Sequence, residues 1–241
     1  MAELERHLDW EGTYNVRDLG GLSTQSGAHV RPGALVRSDN LARLTPAGWE
    51  ALRAYGVGTI VDLRDPEIET GSYLDAAEGL DVRSVSTLTF RDESFWEPFR
   101  DEPVLVRFYE AVLSTRASQL AAAVAAIARA RPGGVVVHCQ VGKDRTGLVI
   151  ALVLSALDVP TEAIVADYTL SHARLKSLYA EHAHTGELAA TLAMSGISGG
   201  GVARAEAMMH VLDDLDVDSY LTGAGLATDD LAALRARLLE G

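Results

Sequence analysis

Short apolar runs alternate along most of this chain with longer stretches of helical spacing. Ala34-Leu35-Val36-Arg37 and Thr59-Ile60-Val61-Asp62-Leu63 are β-branched and bounded by turn residues, which predicts two strands. Residues 81–87 make a third candidate, and Val135-Val136-Val137 reads as a buried fourth. Between the first two, Thr45-Pro46-Ala47 opens a helix, with threonine as N-cap and proline in the first turn. Helical spacing returns over 104–130, alanine-rich from Ala121 to Ala130, and Pro132-Gly133-Gly134 breaks it. Further helices are predicted over 145–157, 161–183, 202–215 and 228–239, the last with Thr228 as its N-cap. Residues 1–33 read as an irregular lead-in with turns at Gly20-Gly21 and Pro32-Gly33.

Strands alternating with helices predict an α/β fold: a central, mostly parallel sheet flanked by helices, with extra helices at the C-terminal end. A length of 241 residues without internal repeats fits a single domain over 1–241. Its core would run over about 12–184 and its C-terminal helices over about 202–239. A mobile connection over about 185–201 would end in Ser198-Gly199-Gly200-Gly201. Residues 88–103 mix Phe90, Phe95, Trp96, Phe99 and Pro103 with charged side chains. They read either as a lid with aromatic anchors or as a connection whose aromatics fill the edge of the core.

Composition narrows the function. The apolar fraction, 48%, is ordinary for a globular core. A net charge of −13 disfavours nucleic-acid binding through a broad basic face, so an anion site has to be assembled locally. No run reaches the roughly 18 apolar residues of a membrane span. The start, Met1-Ala2-Glu3-Leu4-Glu5-Arg6, lacks the apolar stretch of a signal peptide, and a cytoplasmic location is expected. The single cysteine forms no intramolecular disulfide, which fits a reducing compartment and leaves its thiol a candidate nucleophile.

That cysteine stands in His138-Cys139-Gln140-Val141-Gly142-Lys143-Asp144-Arg145-Thr146-Gly147, between the Val135–Val137 strand and the apolar segment Leu148 to Leu154. A strand, a tight loop and a helix start aim backbone N–H groups at one point, where the helix N-terminus adds partial positive charge. Arg145 adds a planar fork suited to two oxygens of one phosphate. Cys139 at the loop base sits in a field that favours thiolate, a nucleophile facing a cradled phosphorus. A buried structural cysteine leaves the following Gly142, Lys143, Arg145, Thr146 and Gly147 unexplained. A Walker-type nucleotide loop is excluded, because Gly142-Lys143 is followed by Asp144 and no glycine stands five positions before Gly142.

The His-Cys-x5-Arg-Thr-Gly string resembles the phosphate-binding loop of the cysteine-dependent protein tyrosine phosphatase superfamily. With Gly142-Lys143-Asp144-Arg145 it is similar to a bacterial branch that includes mycobacterial and Listeria enzymes. Asn15-Val16-Arg17-Asp18-Leu19-Gly20-Gly21, Leu35 to Leu41, Ile60 to Arg64 and Asp167-Tyr168-Thr169-Leu170-Ser171 agree with that branch, in family order, over roughly residues 12 to 175. The resemblance implies a phosphotyrosine phosphatase-like fold and a metal-independent enzyme without cofactor. Its substrate would be a phosphotyrosine protein, with phosphoserine, phosphothreonine or a phosphoinositide as further candidates.

Residue roles follow. Cys139 attacks phosphorus; Arg145 and the loop residues Gln140, Val141, Gly142, Lys143 and Asp144 hold the phosphate oxygens. Asp144 lies within the loop and is the first candidate for the general acid, as the resemblance also implies. Asp62, at a strand end, is the second, unless it forms a structural ion pair with Arg64. An acid at neutral pH needs a raised pKa, supplied by a neighbouring carboxylate or a docked dianion. Thr146 donates to the Cys139 sulfur or satisfies backbone at the helix start. Lys143 adds positive charge at the pocket mouth or balances Asp144. His138 shapes the loop. Asn15, Arg17 and Asp18 read as scaffold, and Arg17 or Arg37 either touches phosphate or holds a carboxylate beneath the loop. Asp167 is expected to orient a loop residue such as Lys143. The remaining histidines His172, His182, His184 and His210 form no metal-ligand set. Competing functions are a phosphoinositide phosphatase, sulfur transfer, and a catalytically inactive phosphate-binding module.

Overall fold

Val135, Val136 and Val137 lie in the middle strand of a five-stranded sheet, and their alternation decides what each face buries. The computed structural model describes residues 6–67, 72–89, 91–99, 104–182 and 201–241. The strands are β1 (Arg17–Asp18), β2 (His29–Val30), β3 (Leu35–Ser38), β4 (Val57–Asp62), β5 (Asp81–Ser84), β6 (Gly134–His138) and β7 (Leu239–Glu240). The large sheet runs in the order β1-β3-β6-β4-β5, with β3, β6, β4 and β5 parallel and β1 antiparallel at one edge. β2 and β7 pair separately, which ties the C-terminus to the lead-in.

Side chains alternate across a strand, so adjacent residues join different cores. Val136, Val36 and Ile60 pack with Trp10, Trp49, Leu52 and Tyr73 on one face. Val135, Val137, Leu35 and Val61 pack on the other, against the main set of helices. On the first face lies α1 (Pro46–Ala54), whose N-cap Thr45 accepts a hydrogen bond from Gly48 N as the Thr-Pro signal predicts. On the second, α5 (Asp144–Ala156) is buried along almost its whole length. That burial explains why its sequence is continuously apolar rather than striped.

The described helices also include α2 (Glu93–Trp96), α3 (Leu105–Thr115), α4 (Ala117–Ala128), α6 (Thr161–His182), α7 (Gly201–Asp213), α8 (Val217–Gly223) and α9 (Thr228–Leu238). α7 packs on α3 and α6.

Several expectations need correction. The stretch 104–130 is two helices bent by 76° at Arg116, not one. No glycine or proline marks the break. Arg116 is held there by Asp92 and by stacking of its guanidinium 5.1 Å from the Phe95 ring centre. α8 was not expected; Asp216 caps it by accepting from Ser219 N at 3.1 Å. In α9, Thr228 is the first helical residue and Ala227 the N-cap, with no side-chain cap bond. The third strand is shorter than 81–87, ending at Ser84.

In the 88–103 segment, Phe95 is buried and packs with Trp96 and Phe99 around Phe108 of α3. This supports the core-edge reading of those aromatics; Phe90 and Pro103 lie outside the described residues, as does nearly all of the 185–201 connection. No single described helix is long and apolar enough to cross a membrane.

Candidate active site

In the parallel register, Ser38 of β3 and Asp62 of β4 both face His138 of β6. Three strands therefore end together, at the carboxyl edge where open α/β sheets place their ligands. Cys139 follows immediately and is buried and free. The chain then turns through Gln140 to Lys143 and enters α5 at Asp144, with Arg145 and Thr146 in its first turn.

The direction of the loop's peptide groups is set from behind. Arg43 Nη1 donates to Gln140 O at 3.1 Å. Asn15 Nδ2 donates to Val141 O and Gly142 O at 3.1 and 3.0 Å. Arg37 Nη2 donates to Gly142 O at 2.8 Å and to Lys143 O at 3.4 Å. In a trans peptide the carbonyl and the following N–H point opposite ways. Drawing these carbonyls outward therefore turns the N–H groups of Val141, Gly142, Lys143 and Asp144 towards the other side, in line with the α5 N-terminus. Gly142 makes the turn with φ +65°; a Cβ there would meet Ser38 O at 2.3 Å, so glycine is required twice over.

The donors are themselves fixed by one carboxylate. Asp167 of α6 is buried and accepts from Arg17 Nε at 2.9 Å, Arg37 Nη1 at 2.9 Å and Arg6 Nη1 at 3.1 Å. Burial disfavours its charge, but Arg17 and Arg37 outweigh that and hold its carboxyl well below the usual range. Arg17 Nη1 in turn fixes Asn15 Oδ1 at 2.7 Å. Of the two readings for Arg17 and Arg37, the geometry supports holding a carboxylate beneath the loop. Asp167 does not orient Lys143, contrary to expectation; it reaches the loop through two arginines. Asp18 is scaffold, accepting from Gly20 N, Gly33 N and the Tyr55 hydroxyl.

A second network lies beside the first. Arg64 donates to Asp62 from Nε and Nη2, and its Nη1 reaches Asn40 Oδ1 at 3.0 Å. Asn40 Nδ2 then donates to Gln140 Oε1 at 3.1 Å. The Tyr73 hydroxyl lies 2.9 Å from Asp62 Oδ2 and 2.7 Å from His138 Nε2. Tyr73 has one proton and a carboxylate can only accept, so Tyr73 donates to Asp62 and His138 presents Nε2–H. Burial pushes His138 down to about 4, which keeps the imidazole neutral. Burial opposes the Asp62 charge, but His138 and Arg64 bring its carboxyl down to about 2. The geometry thus supports the structural ion pair for Asp62 over the general acid.

Asp144 sits differently. Its Oδ1 accepts from the Tyr109 hydroxyl at 2.6 Å and Arg204 Nη1 at 3.1 Å, with the Tyr168 hydroxyl 3.3 Å away. Burial works against the charge, yet Lys143 and Arg204 hold the carboxyl below its ordinary value. The raised value that an acid at neutral pH needs is therefore not supplied by these neighbours. Lys143 is buried, its Nζ 3.9 Å from Asp144 Oδ2 and 3.4 Å from the Tyr179 hydroxyl, which fits charge balance for Asp144. The Thr146 hydroxyl is buried without a hydrogen-bond partner; neither the expected bond to the Cys139 sulfur nor a backbone bond forms.

Tyr109, Arg204, Asn40, Arg43 and Arg6 were not singled out from sequence as site residues. Asn40 and Tyr168 lie within quoted motifs, but Tyr109, Arg204, Arg43 and Arg6 carry no local signal.

A model of the tyrosine phosphatase family matches residues 8–240. A Cupriavidus necator protein named as a tyrosine-protein phosphatase is 34% identical over 190 residues, 70% of this chain and 64% of that protein. The chain therefore spans less than two thirds of that relative's length. The triple specificity protein phosphatase PtpB of Mycobacterium tuberculosis is 29% identical over 276 residues, 95% of this chain and 97% of that one. A Nostoc commune tyrosine-protein phosphatase is 30% identical over 217 residues, 85% of this chain and 74% of that one.

Two outcomes are expected. Asp167→Asn keeps the shape but leaves buried guanidinium groups without their counter-charge. It should cost about 3–5 kcal/mol in urea unfolding. Asp62 lies below its unfolded value of 3.8, so the stability it contributes is fully present above that value and lost as pH falls towards about 2. Urea midpoints measured from pH 5 down to about 2 should fall more steeply for the parent than for Asp62→Asn.

Proposed function

The chain belongs to the tyrosine phosphatase family, and from that premise we propose that it hydrolyses phosphotyrosine monoesters through a phosphocysteine intermediate on Cys139. The observation that carries the reading is the ring of outward-held carbonyls around a buried cysteine, which turns the intervening amides to the face where an oxyanion would sit.

In the first step the Cys139 thiolate attacks phosphorus in line, forming the S–P bond as the P–O bond to the tyrosine ring breaks. The leaving phenolate oxygen takes a proton from Asp144. In the second step water attacks phosphorus, the S–P bond breaks, and Cys139 leaves as thiolate. The Asp144 carboxylate takes the water proton, which restores the acid. Loop amides and the Arg145 fork hold the equatorial oxygens, whose charge is greatest in the transition state. Lys143 and Arg204 favour the Asp144 carboxylate, so the incoming phosphate dianion must supply the push that protonates it. The buried, fixed amides need no reorganisation when that charge arrives.

A second reading, activity on phosphoinositides as well, is favoured by the added positive charge of Lys143 in the loop, and a relative's name records triple specificity without naming its substrates. Lys143 lies against Asp144 and Tyr179, so removing it would also disturb the acid.

Phosphate release should be measured with EDTA present from a phosphotyrosine peptide and a phosphoinositide side by side. Cys139→Ser should lose at least about 10³-fold on any substrate turned over. Absence of release from both would replace the reading with a phosphate-binding module or with sulfur transfer, the latter scored by thiosulfate turnover. Lys143→Ala should slow phosphoinositide turnover more than phosphotyrosine turnover; equal losses would remove Lys143 from substrate choice.

A further inference from the structure

Three helices meet at one carboxylate oxygen. Tyr109 comes from α3, Tyr168 from α6 and Arg204 from α7; Tyr109 and Arg204 donate to Asp144 Oδ1 at 2.6 and 3.1 Å, and the Tyr168 hydroxyl lies 3.3 Å from it. Each hydroxyl has one proton, so with Tyr109 donating to Asp144 the bond between the two hydroxyls is Tyr168 donating to Tyr109. Arg204 is 5% exposed, so its bond to Asp144 is not a solvated surface pair. The other oxygen, Oδ2, has Lys143 Nζ as its described neighbour, at 3.9 Å.

We propose that Arg204, with Tyr109 and Tyr168, is a positioning device that grips Asp144 by Oδ1 and presents Oδ2 to the leaving oxygen. This makes α7, which follows the loop by some fifty residues, a part of the catalytic apparatus. The inference rests on Asp144 being the general acid.

A carboxyl group protonated on Oδ2 keeps Oδ1 as an acceptor, so Tyr109 and Arg204 remain bonded to it in both protonation states, with Tyr168 bracing the Tyr109 hydroxyl. Asp144 can then give its proton in the first step and take one in the second without changing its grip. A donor fixed on Oδ2 would instead oppose protonation there. Two hydroxyls held on packed helices and a guanidinium also restrict the side-chain torsions of Asp144, the kind of pre-orientation that proton transfer needs. The charge of Arg204 has a cost, since it favours the carboxylate. Removing it should therefore raise the proton affinity of Asp144 while loosening its aim, and these two effects are separable.

The test compares phenyl phosphate, whose leaving group needs a proton, with dinitrophenyl phosphate, whose leaving group does not. The enzymes are the parent, Arg204→Met, Arg204→Lys, Asp144→Asn and the double variant Asp144→Asn/Arg204→Met, with urea midpoints recorded for each. Arg204→Met should lose about 10–10²-fold in kcat/KM on phenyl phosphate and less than about 3-fold on dinitrophenyl phosphate. Arg204→Lys should recover part of the loss. The alkaline limb of kcat/KM should move to higher pH in Arg204→Met, and the double variant should be no worse on phenyl phosphate than Asp144→Asn. Equal losses on both substrates, or no loss on either while Asp144→Asn remains leaving-group dependent, would overturn the role of Arg204 and leave Asp144 as acid. Equal effects of Asp144→Asn on both substrates would overturn the assignment of the acid and the positioning role with it.

Discussion

The site depends on the carboxylate of Asp167. It is buried, it belongs to a helix rather than to the loop, and it collects Arg6, Arg17 and Arg37. Burying one charge of this kind is unfavourable unless it is paired and hydrogen-bonded, and burying several together requires that their directions agree. Agreement is reached with Arg17 on β1 and Arg37 on β3, paired across the antiparallel edge of the sheet. Because both arginines are fixed at one end by Asp167, their remaining donors have defined directions, towards Asn15 and towards the loop carbonyls. An ion pair buried in this way is weak as a source of net stability. Its value here is orientation, since it sets which way each loop peptide faces.

The same division of labour explains how a chain of net charge −13 builds an anion site. Its local positive potential comes from backbone amides and the start of α5, with the guanidinium groups of Arg17 and Arg37 spent on the opposite side. The acids near the site are sorted by what holds them. Asp167 and Asp62 are locked to arginines and remain charged. Asp144 differs: its hydrogen bonds among the described residues fall on Oδ1, and Oδ2 faces Lys143 Nζ at 3.9 Å. The three carboxylates are thus separated by geometry rather than by residue type, which is the basis for proposing Asp144 as the acid.

Much was legible in the sequence because its signals are local. The Val135–Val137 run, the glycine at 142 and the apolar helix after Arg145 specify a strand, a turn and a helix whatever surrounds them, and together they place Cys139, Arg145 and the loop amides. The Thr45-Pro46 cap and the parallel order of strands follow from equally local rules. Where the reading failed, the cause lay elsewhere in the chain. The 76° bend at Arg116 is stabilised by Asp92 and Phe95, and nothing in residues 104–130 announces it. Thr228 looks like a cap and is not one, because the chain enters α9 one residue earlier.

The sequence by itself determined the candidate nucleophile, the strand–loop–helix around it, the α/β layout and the family resemblance, since each is carried by residues close together whose physical preferences need no partner. Only the tertiary structure decided what each carboxylate is bonded to, and hence which is proposed as the acid. Asp62, Asp144 and Asp167 are the same side chain in the sequence. What distinguishes them is the set of donors on each: Arg64, two residues away, and Tyr73, eleven away, on Asp62, but Tyr109 and Arg204 on Asp144 and Arg6 and Arg17 on Asp167, 35 to 161 positions away. Proton affinity and aim depend on those donors, and for Asp144 and Asp167 long-range packing supplies them.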